Sequence, residues 1–491
     1  MTDSKYQKDI YHNVKTTINN LVISSVAGSG KTTTLIKSVN QTPKEADKIF
    51  LAFNNSIVEE LKQKIVYPNC SISTIHSICW RCLIRSSDMK LELKPNKSYD
   101  YSLKVVKNFK IPIKKQPYYS FIVSKVVDLA RLNLLTEESE LERIALFHGY
   151  DLEEEMPELI LETLSLMNND FKNYDFTDMV YRAAIDMIRM PTFDFVFVDE
   201  CQDLSVLQHF IIKKLMKPNG RMIAVGDPNQ AIYGFAGADF NSYKKLKNLF
   251  NPTKELPLSV SYRCAKRIVK EAAKVNDKIL PFDLSDEGKV RNGFCKEIKI
   301  NDWVLCRNLK PLIFLNLYLI DKGIRSSIRG VDIGQNLQRF VEKFKCNNVN
   351  SLFNKIDKDI NEEITKMKSK GIKNPINTPK IDMKYQNKDI LKILSYRLYT
   401  TKALIDKIKT IFKHQPNSVI LSTIHKSKGL ENDRIFFLCP ELIPNKFATK
   451  DWQKKQEDNL KYVAITRAKK ELIYINDFNL IEKKMLKKVD K

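Results

Sequence analysis

The sequence predicts an α/β protein with two parallel-sheet domains, each interrupted by a mainly helical insertion. Short apolar runs rich in β-branched and aromatic residues recur along the 491-residue chain, and lysine-rich helical stretches separate them. Continuous apolar strands that alternate with helices are typical of parallel sheets covered on both faces. The runs form two groups, within residues 21–225 and 304–475, so two sheets are the simplest interpretation.

Nine runs are predicted to be strands, because each is short, apolar and bounded by turn residues. The first group consists of residues 21–26, 49–53, 71–75, 193–198 and 222–225. The second group consists of residues 304–306, 419–423, 435–438 and 472–475. No repeat of fixed short period occurs, so a repeat architecture is not expected.

The two insertions differ in charge. Residues 86–174 are predicted to be helical, and their acidic run 137–158 is interpreted as a solvated face. Residues 321–416 hold 21 Lys and Arg against 10 Asp and Glu, and residues 370–387, with two prolines and few apolar residues, are predicted to form a loop. The predicted domains are residues 1–85 with 175–257, the insertion 86–174, residues 258–318 with 413–491, and the basic insertion 319–412.

The composition is basic but does not by itself identify a partner. The chain has 82 Lys and Arg against 58 Asp and Glu, a net charge of +24, and it is 43% hydrophobic. This excludes an acidic, solvating disordered chain and is compatible with a polyanionic partner. Only 17 of the 82 cations are arginine, so a compositional bias of the genome explains the charge equally well.

No membrane or secretory segment is predicted. No apolar run reaches about 18 residues, and residues 1–15 are polar. The nine scattered cysteines indicate a reducing, intracellular location, cytoplasmic or in a nuclear or viral replication compartment. A metal site at Cys79 and Cys82, with His76 and Cys70 nearby, is disfavoured because no second pair completes a tetrahedral shell.

A phosphate-binding loop is predicted after the first strand, in the run Ser-Val-Ala-Gly-Ser-Gly-Lys-Thr of residues 25–32. Glycines let backbone N–H groups turn toward phosphates, and the following helix adds the dipole of its N-terminus. In this interpretation Lys31 reaches the β- and γ-phosphates of ATP, and the Thr32 hydroxyl ligates Mg²⁺. Ser25 stands where the standard pattern has glycine. The candidate ATP-binding residues of the loop are Ala27, Gly28, Ser29, Gly30, Lys31, Thr32 and Thr33.

Adjacent carboxylates follow the apolar run 193–198, in Asp-Glu-Cys-Gln-Asp of residues 199–203. Ligands of parallel sheets bind at the carboxyl ends of the strands. Asp199 is therefore a candidate Mg²⁺ ligand together with Thr32. Glu200 is a candidate for polarising the attacking water.

These two motifs together resemble the superfamily 1 DNA helicases of the UvrD/Rep/PcrA type, and further motifs follow in the order of that family. The resemblance implies an ATP-dependent helicase with two RecA-like motor domains and accessory insertions. The variant Ala-Phe-Asn at 52–54 favours a compact, phage-like branch. The similar segments are residues 5–7, 50–55, 74–77, 175–179, 225–239, 261–264, 304–308, 422–431 and 462–468.

The resemblance implies nucleotide contacts beyond the phosphate loop. Gln7 would read adenine, Tyr262 would stack on it, and Glu431 would accept a hydrogen bond from the ribose. Gln230 would contact the γ-phosphate, Arg263 would sense it, and Arg467 would be the arginine finger. The candidate catalytic residues are Lys31, Asp199, Glu200, Gln230, Arg263 and Arg467.

The resemblance also implies contacts to single-stranded DNA. Phe53 and Phe235 would stack on bases, and Tyr233 lies near that position. Core packing is the alternative for Phe53 and for Tyr233. Phe235 stands where many relatives have tryptophan. The remaining candidates are Asn55, Thr74, His76 and His425.

The predicted function is an ATP-dependent DNA helicase that translocates on single-stranded DNA and acts at junctions with duplex. The resemblance suggests 3′-to-5′ travel. Two alternatives stay open: a translocase that strips bound proteins with little unwinding, and an ATP-gated DNA-binding or loading factor. An RNA helicase is disfavoured because no feature indicates recognition of a 2′-hydroxyl. The pathway, whether replication or repair, and any loading partner stay open.

Overall fold

The computed structural model describes residues 3–65, 67, 69–109, 111–113, 115–234, 241–369, 374–413, 415–475, 477–480 and 482–483. It divides into two compact units, Met1–Val260 and Ser261–Lys491. Each unit contains a six-stranded sheet whose recorded pairings are parallel. The prediction of an α/β fold with two parallel-sheet domains is therefore confirmed.

Within its described residues, the first unit contains eight complete strands. Six form the main sheet, and β4 pairs with β5 apart from it. They are β1 (Asn20–Ser25), β2 (Lys48–Leu51), β3 (Cys70–Ser73), β4 (Glu92–Leu93), β5 (Asn173–Tyr174), β6 (Phe193–Val198), β7 (Met216–Gly226) and β8 (Thr253–Leu258). The main sheet has the order β3-β2-β6-β7-β1-β8.

Helices cover both faces of this sheet, which is why the buried stretches of its central strands are apolar. On β1, Val22 packs with one hydrophobic cluster, whereas Leu21 and Ile23 pack with another. The helices of this unit are α1 (Lys5–Thr16), α2 (Lys31–Val39), α3 (Asn55–Lys64), α4 (Ile75–Ser86), α5 (Lys97–Asn108), α6 (Gln116–Asn133), α7 (Glu138–His148), α8 (Met156–Asn168), α9 (Phe176–Ile185), α10 (Val206–Lys214) and α11 (Ser242–Leu249). Helices α5 to α8 have a hydrophobic cluster of their own.

The second unit repeats the architecture with the sheet order β11-β16-β15-β12-β14-β13. Its strands, with β9 at the boundary, are β9 (Val260–Ser261), β10 (Leu280–Pro281), β11 (Lys289–Gly293), β12 (Trp303–Cys306), β13 (Ser326–Ile328), β14 (Val419–Thr423), β15 (Asn432–Leu438) and β16 (Ala468–Ile475). Its helices are α12 (Lys266–Ala272), α13 (Leu309–Asp321), α14 (Val331–Glu342), α15 (Val349–Ser369), α16 (Pro379–Leu394), α17 (Thr401–Phe412) and α18 (Asp451–Ile465).

Three strands of the main sheets, β8, β11 and β13, were not among the predicted runs. All three lie at sheet edges, where one side of the strand is unpaired and polar residues are tolerated. Strand β13 falls within residues 319–412 and yet pairs with β14, so this segment contains an edge strand of the sheet as well as helices.

The loop predicted for residues 370–387 is wrong over much of its length, because α16 begins at Pro379. Proline is tolerated in the first helical turn, where its missing N–H has no intrahelical acceptor to lose. Ile381 of this helix is fully buried, and Leu391 belongs to the main hydrophobic cluster of the second unit. Burial of a few apolar residues at helical spacing therefore outweighs the polar composition. Residues 370–373 lie outside the described part of the chain.

No helix in the described part of the chain combines the length and the apolar character needed to cross a bilayer.

Candidate active site

The loop between β1 and α2 turns on two glycines with left-handed backbone. Gly28 has a φ of 71° and Gly30 a φ of 77°, which glycine adopts at little cost. Helix α2 begins at Lys31, so the N–H groups of its first turn have no acceptor within the helix. This arrangement of free N–H groups at a helix N-terminus favours an anion.

Ser25, which departs from the standard glycine, has a local partner. Its hydroxyl donates to the carbonyl oxygen of Gly226 over 2.8 Å, so the start of the loop is tied to the end of β7. A side chain on Gly226 would clash with Gln202 and Cys201, at 2.6 and 2.7 Å. The first loop residue is therefore held beside the carboxylate motif.

Two loop side chains meet the two carboxylates that follow β6. The Lys31 ammonium lies 2.9 Å from Glu200 Oε1, and the Thr32 hydroxyl donates to Asp199 Oδ2 over 2.6 Å. Burial by itself lowers the pKa of Lys31, but Glu200, Asp227 and Asp199 outweigh it and raise the pKa. Lys31 is therefore a fixed cation at this edge of the sheet.

The carboxyl group of Asp199, by contrast, has its pKa shifted toward the neutral form. Burial and the neighbouring charge of Glu200 raise its pKa, against the opposing effects of Lys31 and Thr32. A divalent cation would remove this penalty, since it favours the ionised carboxylate. The Asp199 carboxylate and the Thr32 hydroxyl are hard oxygen ligands of the kind that Mg²⁺ prefers, so these residues fit the ion.

A hydrogen-bond network connects this pair of carboxylates to the residues after β7. Gln202 donates to Glu200 over 2.6 Å and accepts from the backbone N–H of Asp227 over 2.9 Å. The Gln230 amide donates to the Asp227 carboxylate over 2.7 Å. The structure thus brings Gln230 within two hydrogen bonds of Gln202, and through it to Glu200.

Gln7 lies beside the phosphate loop. Its side-chain amide donates to the Thr34 hydroxyl over 3.0 Å, and its side-chain oxygen accepts from the backbone N–H of Ser4 over 2.9 Å in a capping box. A Cβ on Gly30 would lie 3.7 Å from the Gln7 amide nitrogen. Of the remaining loop candidates, Ala27 and Ser29 are buried and Thr33 is exposed.

Two candidate strand contacts of the first unit form an aromatic pair. The rings of Phe53 and Tyr233 are stacked with centroids 6.3 Å apart and planes 13° from parallel. Phe53 is 47% exposed, which excludes core packing for its ring. Phe235 lies outside the described residues.

The other candidates of this unit cluster at the carboxyl ends of β2 and β3. The Thr74 hydroxyl donates to the Ser77 hydroxyl over 2.8 Å, and the Ser77 hydroxyl donates to Asn55 Oδ1 over 3.4 Å. Thr74 also caps α4, so it has a structural role. Burial lowers the pKa of His76, which keeps its imidazole neutral near pH 7.

In the second unit, Arg263 and Glu431 form an ion pair with each other. Arg263 also donates to the Thr466 carbonyl oxygen over 3.4 Å. The Tyr262 ring lies 4.9 Å from that of Phe282, tilted by 48°. The structure therefore brings three predicted nucleotide contacts, Tyr262, Arg263 and Glu431, into one region of this unit.

Arg467 is 1% exposed. Its guanidinium donates to the carbonyl oxygens of Val463 and Leu430, over 3.0 and 3.1 Å. Leu430 precedes Glu431, so the arginine packs against that segment. Because the guanidinium is buried, a contact between Arg467 and a phosphate requires the residues that cover it to move.

His425 lies just after β14, separated from it by Ile424. The N–H of Ile424 donates to the Cys306 carbonyl oxygen over 3.0 Å. Burial and the nearby charge of Arg307 lower its pKa to about 4, so it is neutral near pH 7. Arg307 is held by Glu457 of α18 through bonds of 2.8 to 3.1 Å.

Comparisons with known proteins agree with this geometry. The model of the UvrD/REP helicase N-terminal domain matches residues 6–251, half of the chain, and that of the UvrD-like helicase C-terminal domain matches residues 332–477.

The chain belongs to the UvrD/REP helicase family.

Individual relatives are distant and longer. The ATP-dependent DNA helicase PcrA of Staphylococcus aureus is 27% identical over 287 residues, which cover 53% of this chain and 38% of the relative. PcrA of Bacillus subtilis is 27% identical over 313 residues, 56% of this chain and 40% of the relative. A probable DNA helicase II homolog of Mycoplasma genitalium is 26% identical over 306 residues, 53% of this chain and 41% of the relative. The matched part of the chain thus spans about two fifths of each relative.

Three residues of this UvrD/REP-type site were missed as candidates. Asp227 and Gln202 form the network between the motifs, and Arg307 influences His425. Asp227 had a usable signal, because it follows the apolar run 222–225 after a single glycine, much as Asp199 follows its own run. Arg307 follows a predicted strand in the same way. Gln202 had a signal too, because it lies in the polar run 199–203 that follows the predicted strand 193–198.

The cysteine–histidine alternative gains no support. Among the described residues, no group of three or more His, Cys, Asp or Glu side chains is placed to hold a metal ion. Cys79 and Cys82 are buried in the hydrophobic cluster between the first sheet and α4.

Proposed function

We propose that this protein is an ATP-dependent DNA helicase that translocates on single-stranded DNA from 3′ to 5′. The observation that carries the proposal is the contact of Lys31 and Thr32 with Glu200 and Asp199. A phosphate-binding cation, a metal-binding hydroxyl and two carboxylates are the parts that hydrolysis at a phosphate loop requires. Membership of the UvrD/REP family supports DNA as the polymer.

The loop residues would bind the ATP phosphates, and Asp199 with Thr32 would hold Mg²⁺. The ion, when bound, would neutralise charge on the phosphates. Lys31 is paired with Glu200 in the structure. A γ-phosphate would compete for the ammonium, and the released Glu200 carboxylate could then polarise the attacking water. Substrate binding and activation of the base would thus be linked through one lysine.

The remaining nucleotide contacts follow from the family pattern. We assign adenine recognition to Gln7 and Tyr262, the ribose to Glu431, and the γ-phosphate to Gln230, Arg263 and Arg467. Arg263 and Glu431 form an ion pair with each other in the structure, so a bound nucleotide would have to separate them. Arginine suits this role because its planar, permanently charged fork matches phosphate oxygens.

Strand contacts are assigned to the stacked pair of exposed Phe53 and half-buried Tyr233, and to its surroundings. Phe53 and Tyr233 offer ring faces on which bases can stack without regard to sequence, and Phe235 completes the set. Asn55, Thr74, His76 and His425 are assigned to the DNA backbone. We further propose residues 1–85 with 175–257 and residues 258–318 with 413–491 as the two motor cores, and residues 86–174 and 319–412 as accessory segments.

The test is ATP hydrolysis with and without single-stranded DNA at two salt concentrations. Strong stimulation that weakens as salt rises is expected, because phosphate contacts release counterions. Unwinding of duplexes with a 3′ or a 5′ tail then determines direction. Stimulation without unwinding, but with displacement of a protein bound to the strand, would favour the translocase. Tight nucleotide binding without stimulation would contradict the motor and favour a gated DNA-binding factor.

A further inference from the structure

Two turns between the accessory helices of the second unit lie side by side, and we call them the paired turns. They are residues 343–348, between α14 and α15, and residues 395–400, between α16 and α17. The N–H of Val349 donates to the carbonyl oxygen of Tyr399 over 3.0 Å, and the N–H of Thr401 donates to that of Asn347 over 3.1 Å. These backbone bonds hold one turn against the other.

The paired turns carry cations and no carboxylates. Residues 343–348 and 395–402 contain no Asp or Glu, and their cations are Lys343, Lys345, Arg397 and Lys402. Lys343 is paired with Asp359 of α15 over 3.1 Å. Within the described part of the chain, the other three are exposed and have no carboxylate partner. A polyanion would therefore reach three cations here without displacing an acid.

An aromatic ring stands out from the same surface. Tyr399 is 85% exposed, so its ring contributes little to the core of this unit. The guanidinium of Arg397, two residues earlier, lies over the ring of Tyr396 at 5.1 Å from its centroid. Proteins that bind single-stranded nucleic acid combine these two features, because rings stack on unpaired bases while cations follow the backbone.

The backbone of both turns places a cation in the left-handed region. Lys345 has a φ of 47° and Arg397 a φ of 62°. This conformation is costly for any residue except glycine. Glycine would form either turn without that cost, but it would not supply a charge. Such outliers concentrate at sites that bind ligands.

We infer that the paired turns form a second binding surface for single-stranded DNA, in which Tyr399 stacks on an unpaired base. Lys345, Arg397 and Lys402 contact the phosphates beside it. The inference rests on the proposed function, which makes DNA the substrate, and it adds a surface outside every motif segment. A single strand fits better than a duplex, because duplex bases are stacked on each other and offer no free face to Tyr399.

The test compares Tyr399→Ala with wild type in binding a fluorescein-labelled oligothymidine and a blunt duplex of the same length. A length of about 40 nucleotides exceeds a single binding site of ordinary size. Affinity for the oligothymidine should fall by between about fivefold and 150-fold, the effect of removing one stacking ring. Affinity for the duplex should be unchanged.

ATP hydrolysis supplies a second readout. In Tyr399→Ala, the oligothymidine concentration that gives half-maximal stimulation should rise by the same factor. Turnover without DNA and at saturating DNA should stay at the wild-type level, because the paired turns contain none of the residues assigned to hydrolysis. A purely structural role would not separate these quantities in this way.

Matched variants test the ring and the charges separately. Tyr399→Phe keeps the ring and should bind like wild type, as should Tyr99→Ala, which removes a 38% exposed tyrosine of α5. Lys402→Ala should reduce the slope of log affinity against log salt by about 0.7, the value for one phosphate contact on a single strand. Lys409→Ala, whose side chain is 60% exposed on the same helix, should leave the slope unchanged. Thermal melting establishes that each variant is folded.

Wild-type affinity of Tyr399→Ala for oligothymidine, in a protein whose ATPase is stimulated by DNA, would overturn the inference and leave the proposed function intact. An equal loss of affinity for oligothymidine and duplex would also overturn it, because stacking on an unpaired base predicts a difference. So would a loss of turnover at saturating DNA, which would place Tyr399 in the motor. If the wild-type protein binds no single-stranded DNA, the proposed function fails, and the inference fails with it.

Discussion

At the scale of single residues, neighbouring carboxylates keep the lysine of the phosphate loop positively charged. Lys31 is surrounded by Glu200, Asp199 and Asp227, which outweigh its burial and raise its pKa. An ammonium held in this way stays charged throughout the physiological range. It can therefore serve a phosphate as a permanent cation, provided that the phosphate displaces a carboxylate.

We predict that Lys31→Ala lowers ATP turnover by at least about 100-fold, because removal of one preorganised electrostatic contact has an effect of this size. Binding of single-stranded DNA should persist, since Lys31 contacts only the carboxylates of the nucleotide site. Steady-state ATPase assays and fluorescence anisotropy measure the two effects. Lys37→Ala is the control, because Lys37 lies on the same helix and pairs with Asp3 at the surface. Normal turnover in Lys31→Ala would refute the assignment of the phosphate loop.

His425 supplies a pH dependence of stability. Burial and Arg307 lower the pKa of His425 from 6.5 to about 4. Between these values the unfolded chain binds a proton at His425 that the folded chain does not. The stability that depends on a neutral His425 is therefore fully present above pH 6.5 and is lost as the pH falls toward 4. The free energy of unfolding should therefore fall by about 2–3 kcal/mol more in wild type than in His425→Gln. Urea titrations at pH 7 and pH 4 measure this difference, and equal losses would contradict it.

At the scale of elements, a buried ionic cluster attaches the helices α5 to α8 to the first sheet. Arg131 of α6 is fully buried and donates to Asp175 and Asp178, over 2.9 and 2.8 Å, at the start of α9. Lys97 of α5 reaches Asp178 over 2.8 Å. Burial alone would raise the pKa of Asp175, but Arg131 and the surrounding hydrogen bonds lower it. Helix α9 thus links α5 and α6 to the core by charge.

We predict that Arg131→Leu destabilises the first unit by about 3–5 kcal/mol, because it leaves Asp175 buried without its cation and leaves Asp178 with Lys97 alone. Chemical denaturation measures the loss. Arg143→Leu is the control, since the Arg143 side chain is 77% exposed and its ion pair with Glu140 is long, at 3.8 Å. Its effect should be within about 0.5 kcal/mol. Similar values for the two variants would contradict a structural role for the cluster.

At the scale of the whole molecule, the two units organise their accessory helices differently. In the first unit, α5 to α8 enclose a separate hydrophobic cluster that contains Leu159. In the second unit, one cluster contains strands of the sheet together with α14 to α17, and Leu391 of α16 belongs to it. Helices α14 to α17 are therefore part of the same core as the sheet of the second unit.

Hydrogen exchange should reveal this difference. Leu391→Ala and Leu159→Ala each remove a fully buried side chain, at a cost of about 2–5 kcal/mol. In Leu391→Ala we expect faster amide exchange in β14 as well as in α16. In Leu159→Ala the faster exchange should stay within α5 to α8 and leave β1 and β6 unchanged. Exchange confined to α16 in Leu391→Ala would contradict the shared core.

The sequence by itself determined the two-sheet α/β class, the order of the motifs and the central strands. Central strands are buried on both faces, so their apolar runs can be recognised in the sequence. Strands β6 and β14 have the predicted bounds. The phosphate loop could also be recognised, because its glycines and Lys31 are close together in the chain. Edge strands such as β8 carry no such pattern, since an edge tolerates polar residues.

Only the tertiary structure decided which side chains meet. The pairing of Arg263 with Glu431, the bond from Arg467 to Leu430 and the bonds of His209 and Cys201 with Ser242 join residues between 33 and 168 positions apart. Such contacts depend on the directions of side chains after the sheet has formed, and no local periodicity encodes them. Likewise, α16 forms in a proline-containing polar segment because the core beneath it offers burial.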